Sequence, residues 1–367
     1  MEEELEGKTV LVTGGTGSIG SEIVKQILNY EINKVIIFSR DEIKHFLIKK
    51  RIPDERLETV VGDVRDYRSI QRVFEENDID LIYHAAAMKH VVICEDSPIE
   101  SVKTNILGTQ NIVDLAKKHG VPKLITISTD KAVYPVNVMG ASKFIAEKIT
   151  LKAGYTCVRF GNVANSRGSV IPVLIDNLLN KKPLSITDPN VTRFIIRISE
   201  AVKLVIKATK YAKGGDIFIL KMKAFRLGDL LDVILDRIAP KLGLSKDEIK
   251  VNITGLVSGE KLHEDLINNT ESNRVYELDD MYVILRNDED TSKYQNIKKV
   301  DLHEYTSKDV ELISKEEIEG IVMKYLKNYL VRGLTMSNST SFNDENMGEN
   351  VKRRLKIVKP ISKNGEF

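Results

Sequence analysis

TGGTGSIG, residues 13–20, follows directly on the apolar run TVLV near the start of the chain. The run predicts a buried strand, and the apolar periodicity from about Ser18 to Asn29 predicts an amphipathic helix. Gly14, Gly17 and Gly20 would permit a tight turn, a close approach of a pyrophosphate, and packing of the helix on the sheet. The free N–H groups at the helix N-terminus would bind the phosphates. This strand–turn–helix context predicts a dinucleotide site rather than a merely tight turn.

Further apolar runs alternate with helical stretches along the chain. They read KVIIFSR, LETVVGD, DLIYHAAA, KLITIST, YTCVRFGN and GDIFIL. Near-continuous apolar strands that alternate with helices predict an α/β fold, a doubly wound parallel sheet of the Rossmann type.

The texture changes after about Asn165, where loops such as SRGSVIP and ITDPNVTRF interrupt the helices and indicate a smaller substrate-holding region. We expect residues 1–165 to form the dinucleotide-binding domain, with 195–222 returning to it. Residues 166–330 would be mainly the substrate-binding region, and 331–367 a polar, mobile tail.

The charge balance excludes several classes of partner. Lys and Arg number 55 against 53 Asp and Glu, a formal charge of +2, so no overall field attracts nucleic acid or an anionic membrane. Cys94 and Cys157 have neither metal-ligand spacing nor a disulfide framework. The N-terminus MEEELEGKTV lacks a signal-peptide hydrophobic region, and no apolar run approaches the ~20 residues that span a bilayer. We expect a cytoplasmic protein without a metal.

The second strand ends in IIFSRDE, and its end decides which dinucleotide fits. A cofactor without a 2′-phosphate usually meets an acidic residue there, but Ser39 and Arg40 come first and Asp41 follows. Because Arg40 could pair with a 2′-phosphate, NADP is favoured over NAD. Asp63 and Val64 occupy positions that would bracket the adenine. Other candidate contacts lie in the glycine-rich turn and in the loop after the fourth strand: Thr13, Thr16, Ser18, Ile19, Ala85, Ala86 and Ala87.

STDKAVYPVNVMGASK, residues 128–143, follows the fifth strand, at the sheet edge where open α/β folds bind ligands. With TGGTGSIG, YHAAAMKH, KTNILGTQN, RFGNVANSRGSV, TRF and GEKLHEDL, it resembles the nucleotide-sugar 4,6-dehydratases of the extended short-chain dehydrogenase/reductase superfamily. The close relatives act on UDP-N-acetylglucosamine in polysaccharide or glycan biosynthesis. The resemblance covers about Lys8 to Leu330. Thr-Asp-Lys directly after the fifth strand separates these dehydratases from ordinary epimerases.

The resemblance implies a reaction in three stages. Hydride leaves sugar C4 for a tightly bound NADP or NAD, water is eliminated across C5 and C6, and the hydride returns to C6. Asp130 would be the acid at the C6 hydroxyl and Lys131 the base at C5. A lysine base requires a pKa well below about 10.4. Burial, the nearby Lys143 and the charge of the oxidised nicotinamide would lower the pKa of Lys131.

Met139 stands where many related enzymes carry the tyrosine of a Tyr-x-x-x-Lys motif that ends here at Lys143. A thioether cannot accept a proton, but the resembled family includes a methionine branch, so we expect relocated rather than lost chemistry. Thr129, Asp130 or an ordered water would take the O4 proton, and Lys143 would still hold the nicotinamide ribose. The branch favours retention at C5, with inversion left open.

The same resemblance implies further binding residues. Lys89 and Asn105 would contact the cofactor, and a UDP-sugar would meet Lys89, Asn162, Arg167, Ser169, Val170, Arg193 and Glu260, with Lys261 at the closing loop. Val257 occupies the position of a usual diphosphate-binding arginine, which weakens the substrate assignment. His84 and His90 are expected to be structural. A homo-oligomer is expected because relatives assemble.

Two other functions stay open. The first is a sugar 4-epimerase or reductase on the same scaffold, against which Asp130–Lys131 and the missing tyrosine both count. The second is a non-catalytic cofactor-binding relative, for which Met139 and Val257 are the evidence. The combination of Asp130, Lys131 and Lys143 argues for an enzyme.

Overall fold

The computed structural model describes residues 2–166 and 168–337. The strands are β1 (Thr9–Thr13), β2 (Lys34–Ser39), β3 (Leu57–Val61), β4 (Leu81–His84), β5 (Lys123–Ile127), β6 (Thr156–Arg159), β7 (Asn162–Val163), β8 (Leu184–Ile186), β9 (Thr192–Ile196), β10 (Ile217–Leu220), β11 (Lys223–Arg226), β12 (Val251–Ile253), β13 (Asp265–Ile267), β14 (Val275–Leu278), β15 (Met281–Ile284), β16 (Lys298–Lys299) and β17 (Tyr305–Thr306).

The α-helices are α1 (Glu2–Leu5), α2 (Ser18–Ile27), α3 (Glu42–Arg51), α4 (Tyr67–Glu75), α5 (Val91–Asp96), α6 (Pro98–Ser101), α7 (Gly108–Lys118), α8 (Val138–Lys152), α9 (Val170–Leu179), α10 (Ile198–Tyr211), α11 (Leu227–Val233) and α12 (Lys315–Ser337). Shorter π-helical segments cover Val102–Leu107 and Ile234–Ile238. Single 3₁₀ turns cover Asp130–Ala132, Pro240–Leu242, Lys246–Glu248, Ser272–Arg274 and Asp288–Lys293.

The predicted doubly wound sheet is confirmed. Its order is β3-β2-β1-β4-β5-β6-β10, all parallel, followed by the antiparallel strands β15, β14 and β16. Side chains of β1 alternate between two cores: Val10 and Val12 pack in one and Leu11 in the other. A strand buried on both faces explains the continuous apolar run in the sequence.

The chain forms two compact units. The first comprises Met1–Val163, Phe194–Lys223 and Ser258–Val310. The second comprises Ala164–Arg193, Ala224–Val257 and the described residues from Glu311 to Ser337. The sequence division differs at 258–310, which we placed in the substrate-binding region. This segment joins the first unit because β15 pairs with β10 and so extends the large sheet.

Within the second unit, β8 pairs in parallel with β12, and α11 packs near α12. Helix α12 begins at a capping box, in which Ser314 Oγ accepts from Glu317 N and Glu317 Oε2 accepts from Ser314 N. The helix continues to Ser337, so the tail expected from residue 331 begins as helix. The remainder of that tail, 338–367, lies outside the described residues.

Among the described residues, no helix is both long enough and apolar enough to cross a bilayer.

Candidate active site

The glycine-rich turn packs against the loop that follows β4. Gly14 has φ +66°, and a Cβ there would lie 2.8 Å from Ala86 Cα. A Cβ at Gly20 would lie 2.4 Å from Gly14 O, so helix α2 approaches the turn as the motif predicted. Gly17 caps α2, and the N–H groups of the first turn have no acceptor within the helix. The predicted contacts Ser18 and Ile19 are the first residues of that turn.

A buried chain of hydrogen bonds ties β1, β4 and α7 together. Thr13 Oγ1 lies 2.7 Å from His84 Nδ1, and His84 Nε2 lies 3.0 Å from Thr109 Oγ1. Thr109 Oγ1 donates to Asn105 O, so His84 Nε2 carries the proton and Nδ1 accepts from Thr13. Burial, with the charge of Lys143, lowers the pKa of His84 to about 3. His84 is therefore a structural histidine with both ring nitrogens bonded.

Asn105 holds the loop after β4 rather than presenting a free amide. Its Oδ1 accepts from Met88 N at 2.7 Å, and its Nδ2 donates to Met88 O at 3.0 Å and to Ser142 Oγ at 2.9 Å. The residue lies in the π-helical segment between α6 and α7. Lys89 and His90 follow Met88 and are exposed.

The end of β2 presents one accessible cation. The Arg40 side chain is 56% exposed, and its Nη1 lies 4.0 Å from Asp63 Oδ2. Asp41 is instead occupied as the cap of α3, where it accepts from Lys44 N, and hydrogen bonds from Lys44 lower the pKa of the Asp41 carboxyl. Ser39 Oγ lies 2.9 Å from Thr16 Oγ1 and 2.8 Å from His45 Nε2.

Asp63 and Val64 lie in the loop after β3. Burial tends to raise the pKa of Asp63, but hydrogen bonds and charge from Arg65 lower it overall. Val64 is buried, and its carbonyl accepts from Asn111 Nδ2.

Thr129, Asp130 and Lys131 follow β5 and form the centre of the site. Asp130 is fully buried, and its Oδ1 accepts from Thr129 Oγ1 at 2.8 Å and from Lys131 Nζ at 3.0 Å. Asp130 Oδ2 makes no hydrogen bond within the described chain. Lys131 Nζ also lies 3.4 Å from Asn162 Oδ1, so this predicted substrate residue meets the predicted base.

Helix α8 places Met139 and Lys143 on one buried face. Asn137 Oδ1 caps the helix by accepting from Gly140 N, and a Cβ at Gly140 would lie 2.2 Å from Lys131 O. Lys143 Nζ donates to Ile127 O at 2.5 Å. Burial lowers the pKa of Lys143, and nearby Cys157 and Glu147 offset part of that effect.

The loop after residue 257 brings in a residue that the sequence analysis missed. Glu264 Oε1 lies 3.3 Å from Lys131 Nζ, and the Glu264 side chain is only 5% exposed. Asn137 Nδ2 donates to Gly259 O, and Lys261 Nζ donates to Val133 O and to Asp265. Lys261 thus joins the loop before β13 to Val133, and its place at the closing loop stays a prediction. The GEKLHEDL motif contained Glu264, but spacing gave no sign of its partner.

The sequence analysis also missed a buried network of ion pairs around Arg159, on β6. Arg159 makes paired hydrogen bonds to Glu147 and to Glu271, and all three are buried. Ser128 Oγ donates to Glu147 Oε1 at 2.5 Å. This network connects β6, α8, the turn before β14 and, through Ser128, the end of β5.

The remaining predicted substrate residues are distributed between the units. Glu260 belongs to the first unit, whereas Ser169, Val170 and Arg193 belong to the second. Ser169 precedes α9 and donates to Ser166 O, and Arg193 is buried on β9. Val257 is 51% exposed, and Arg167 lies outside the described residues.

The arrangement fits a dinucleotide and acid–base chemistry. A phosphate group would suit the open helix N-terminus at Gly17, and the exposed Arg40 offers a cation at the end of β2. A buried carboxyl group beside a lysine supplies one group that can donate a proton and one that can accept a proton. Over the residues that the structure covers, no cluster of three or more metal-ligating side chains occurs.

Residues 10–286 match the family described as polysaccharide biosynthesis protein. The chain is 45% identical over 324 residues to the uncharacterized membrane protein MJ1061 of Methanocaldococcus jannaschii. This alignment covers 86% of this chain and 95% of that protein. It is 38% identical over 289 residues to an inverting UDP-N-acetylglucosamine 4,6-dehydratase of Campylobacter jejuni, 76% of this chain and 83% of the relative. It is 36% identical over 334 residues to a UDP-glucose 4-epimerase of Rickettsia bellii, 86% and 95% of the two chains.

Solved structures agree with the fold. Pen from Bacillus thuringiensis has a TM-score of 0.80 and 37% identity, covering 87% of this chain and 98% of that one. DesIV of Streptomyces venezuelae, a dTDP-glucose 4,6-dehydratase solved with NAD and TYD bound, has a TM-score of 0.61 at 22% identity, covering 69% and 86%. The second likeness concerns the fold alone.

Proposed function

The chain belongs to the polysaccharide biosynthesis protein family, within the extended short-chain dehydrogenase/reductase superfamily of nucleotide-sugar dehydratases and epimerases, and we propose that it is a 4,6-dehydratase of UDP-N-acetylglucosamine. The observation that carries the proposal is the adjacent pair after β5: buried Asp130 with Lys131 Nζ at 3.0 Å. Elimination of water needs an acid and a base at neighbouring carbons. Epimerisation at C4 needs a base for the O4 proton but no acid and base at C5 and C6.

The protein's own groups divide the work as follows. When bound, the nicotinamide supplies the hydride acceptor for C4 and the hydride donor for C6. Asp130 takes the O4 proton, with Oδ2 open and Oδ1 held by Thr129, and later delivers it to the departing C6 hydroxyl. Lys131 removes the C5 proton. Lys143 binds the nicotinamide ribose, and Met139 contributes only apolar surface.

Arg40 favours NADP as the cofactor. Its guanidinium is exposed at the end of β2, whereas the nearby Asp41 carboxylate is bonded to Lys44 and is not presented to a ribose. The turn from Thr13 to Gly20, with Ser39, Asp63, Val64 and Ala85–Ala87, completes the proposed cofactor site. Asn105 supports it through Met88.

The substrate assignment extends the proposal to residues of both units. Lys89, Asn162, Ser169, Val170, Arg193 and Glu260 would bind the UDP-sugar. A homo-oligomer in the cytoplasm is also proposed. Exposed apolar side chains on α5, α6 and the π-helical segment offer a surface for it: Val92, Ile93, Ile99, Val102 and Leu107.

A 4-epimerase is the second candidate, because a relative of similar identity carries that name. Proton NMR of the purified protein with UDP-N-acetylglucosamine in deuterated water, first without and then with added cofactor, separates the possibilities. Dehydration gives a 6-deoxy methyl signal, whereas epimerisation gives a new hexose without one. No change in UDP-N-acetylglucosamine, despite bound cofactor, would reject catalysis on this substrate.

The same spectra report stereochemistry at C5. Ring couplings distinguish retention, which the Met139 branch favours, from the inversion named for the Campylobacter relative. Lys131→Met and Asp130→Asn should each remove the methyl product. Lys152→Met, at an exposed lysine at the end of α8, is the matched control.

A further inference from the structure

We propose that Glu264 acts through Lys131 as a positioning and proton-accepting residue, taking the proton that the lysine must lose before it can deprotonate C5. This inference rests on the proposed dehydratase function. It gives a task to a buried carboxylate that lies outside the adjacent Asp130–Lys131 pair and to which the sequence analysis assigned no role.

The surroundings of Lys131 create the need for such a group. Its Nζ lies 3.0 Å from Asp130 Oδ1 and 3.3 Å from Glu264 Oε1. Two carboxylates beside one amine favour the ammonium form, which cannot act as a base. A base therefore requires that the proton leave Nζ within the site.

Of Asp130, Asn162 and Glu264, which all lie near Lys131 Nζ, Glu264 is suited to receive that proton. The Asn162 amide oxygen, at 3.4 Å, is not basic enough to hold it. Asp130 already carries the proton from O4 at this stage of the proposed reaction. Glu264 remains, at hydrogen-bonding range of the lysine and with a side chain only 5% exposed, which limits exchange with water.

The fold fixes Glu264 independently of any ligand. Its N–H donates to Ser307 Oγ at 2.9 Å, and Ser307 N donates to Glu264 O at 2.8 Å. Ser307 is fully buried next to β17, which pairs with β13 directly after Glu264. Because both sides of the residue are anchored, the carboxylate is preorganised against Lys131.

The proton movements balance. When O4 has given its proton to Asp130, the Lys131 N–H bond breaks and an O–H bond forms on Glu264. The neutral amine then breaks the C5–H bond, and that electron pair forms the C5–C6 double bond as the C6–O bond breaks. The Asp130 proton leaves with the hydroxyl as water. Lys131 returns its proton to C5 when hydride reaches C6, and Glu264 then returns its own proton to Lys131.

Glu264→Gln tests this role because it keeps the size and an oxygen acceptor but cannot take the proton. We expect the dehydration rate to fall about 100-fold or more, the usual effect of losing a proton acceptor. C4 oxidation should persist, so the near-ultraviolet absorbance of reduced nicotinamide should accumulate in a single turnover. The residual rate should rise with pH further into the alkaline range than in the wild type, since hydroxide must then remove the lysine proton.

Three further variants complete the experiment. Glu264→Asp retains a carboxylate and should recover part of the rate. Glu277→Gln removes the carboxylate of another Glu–Lys pair, with Lys221, and should leave all readouts unchanged. Thermal unfolding midpoints identify any variant that fails to fold. If Glu264→Gln fails to fold, the dehydration rate and pH profile of Glu264→Asp test the role of the carboxylate instead.

The outcomes separate the two proposals. A wild-type protein that forms no 6-deoxy methyl product rejects the dehydratase function and this role with it. A dehydrating wild type whose Glu264→Gln variant keeps its rate within about threefold, with the same pH profile, rejects the role of Glu264 alone. Equal loss of C4 oxidation and elimination would also overturn it, because a structural ion pair predicts that result.

Discussion

Gly140 sets the distance between helix α8 and the backbone of Lys131, the proposed base. A Cβ at this position would lie 2.2 Å from Lys131 O, and that atom belongs to backbone that cannot rotate away. The sequence analysis assigned roles to Met139 and Lys143 in MGASK but none to the glycine between them. This glycine allows helix α8 to begin close to the backbone of Lys131.

Gly140→Ala should lower the free energy of unfolding by more than about 2 kcal/mol and displace Lys131. Gly320→Ala, in α12 with no atom within 4 Å of the added Cβ, is the matched control. Alanine there should stabilise by up to about 1 kcal/mol. Urea denaturation of both variants measures the effect, and a Gly140→Ala protein as stable as wild type would contradict the packing argument.

Arg40 tests cofactor choice at a single residue. Arg40→Ala should weaken NADP binding about tenfold or more, because a charged hydrogen bond to the 2′-phosphate is lost, and leave NAD binding nearly unchanged. Calorimetric titration of the cofactor-free protein measures both affinities. Arg51→Ala, at the other end of α3, is the control. Equal effects on the two cofactors would exclude a 2′-phosphate contact.

At the scale of elements, strand and helix assignments followed from local pattern. The strands of the parallel sheet lie where their apolar runs predicted, because burial on both faces leaves a continuous signal. The ion network around Arg159 had no such signal. Glu147 and Glu271 meet it from a helix and a turn 12 and 112 residues away in sequence.

Arg159→Met should lower the free energy of unfolding by about 3–5 kcal/mol, because two buried carboxylates lose their cation. Adding Glu147→Gln and Glu271→Gln to the same chain should recover part of that loss. Arg226→Met removes the exposed pair with Asp229 and should cost less than about 1 kcal/mol. Urea denaturation compares each of these three variants with the wild type. A triple variant less stable than Arg159→Met would show that charge is not the cause.

At the scale of the whole molecule, stability should depend on pH through His84. The folded chain keeps this histidine neutral down to about pH 3, whereas in the unfolded chain it binds a proton below about pH 6.5. Stability from this group is therefore complete above that range and is lost as the pH falls through it. The loss between pH 7 and pH 5 should be about 2 kcal/mol.

The difference in unfolding free energy between wild type and His84→Gln isolates this effect. This difference should shrink by about 2 kcal/mol between pH 7 and pH 5, measured by urea denaturation at each pH. His303→Gln, at an exposed histidine, controls for the loss of a histidine. A difference that stays constant from pH 7 to pH 5 would refute the assignment.

The division into units is also a property of the whole molecule. Residues 258–310 looked like part of the substrate region because they follow loops and motifs assigned to it. They join the first unit instead, since β15 completes the sheet beside β10. Pairing of strands from distant segments cannot be read from local composition.

The sequence by itself determined the α/β fold, the glycine-rich turn and the position of Asp130 and Lys131 at the end of β5, because each depends on neighbouring residues and on short-range periodicity. Only the tertiary structure decided that Glu264 reaches Lys131, that Asn162 meets the same lysine, and that Arg159 joins Glu147 to Glu271. Those contacts depend on how separate elements pack, and a side chain's partner on another element leaves no spacing in the sequence.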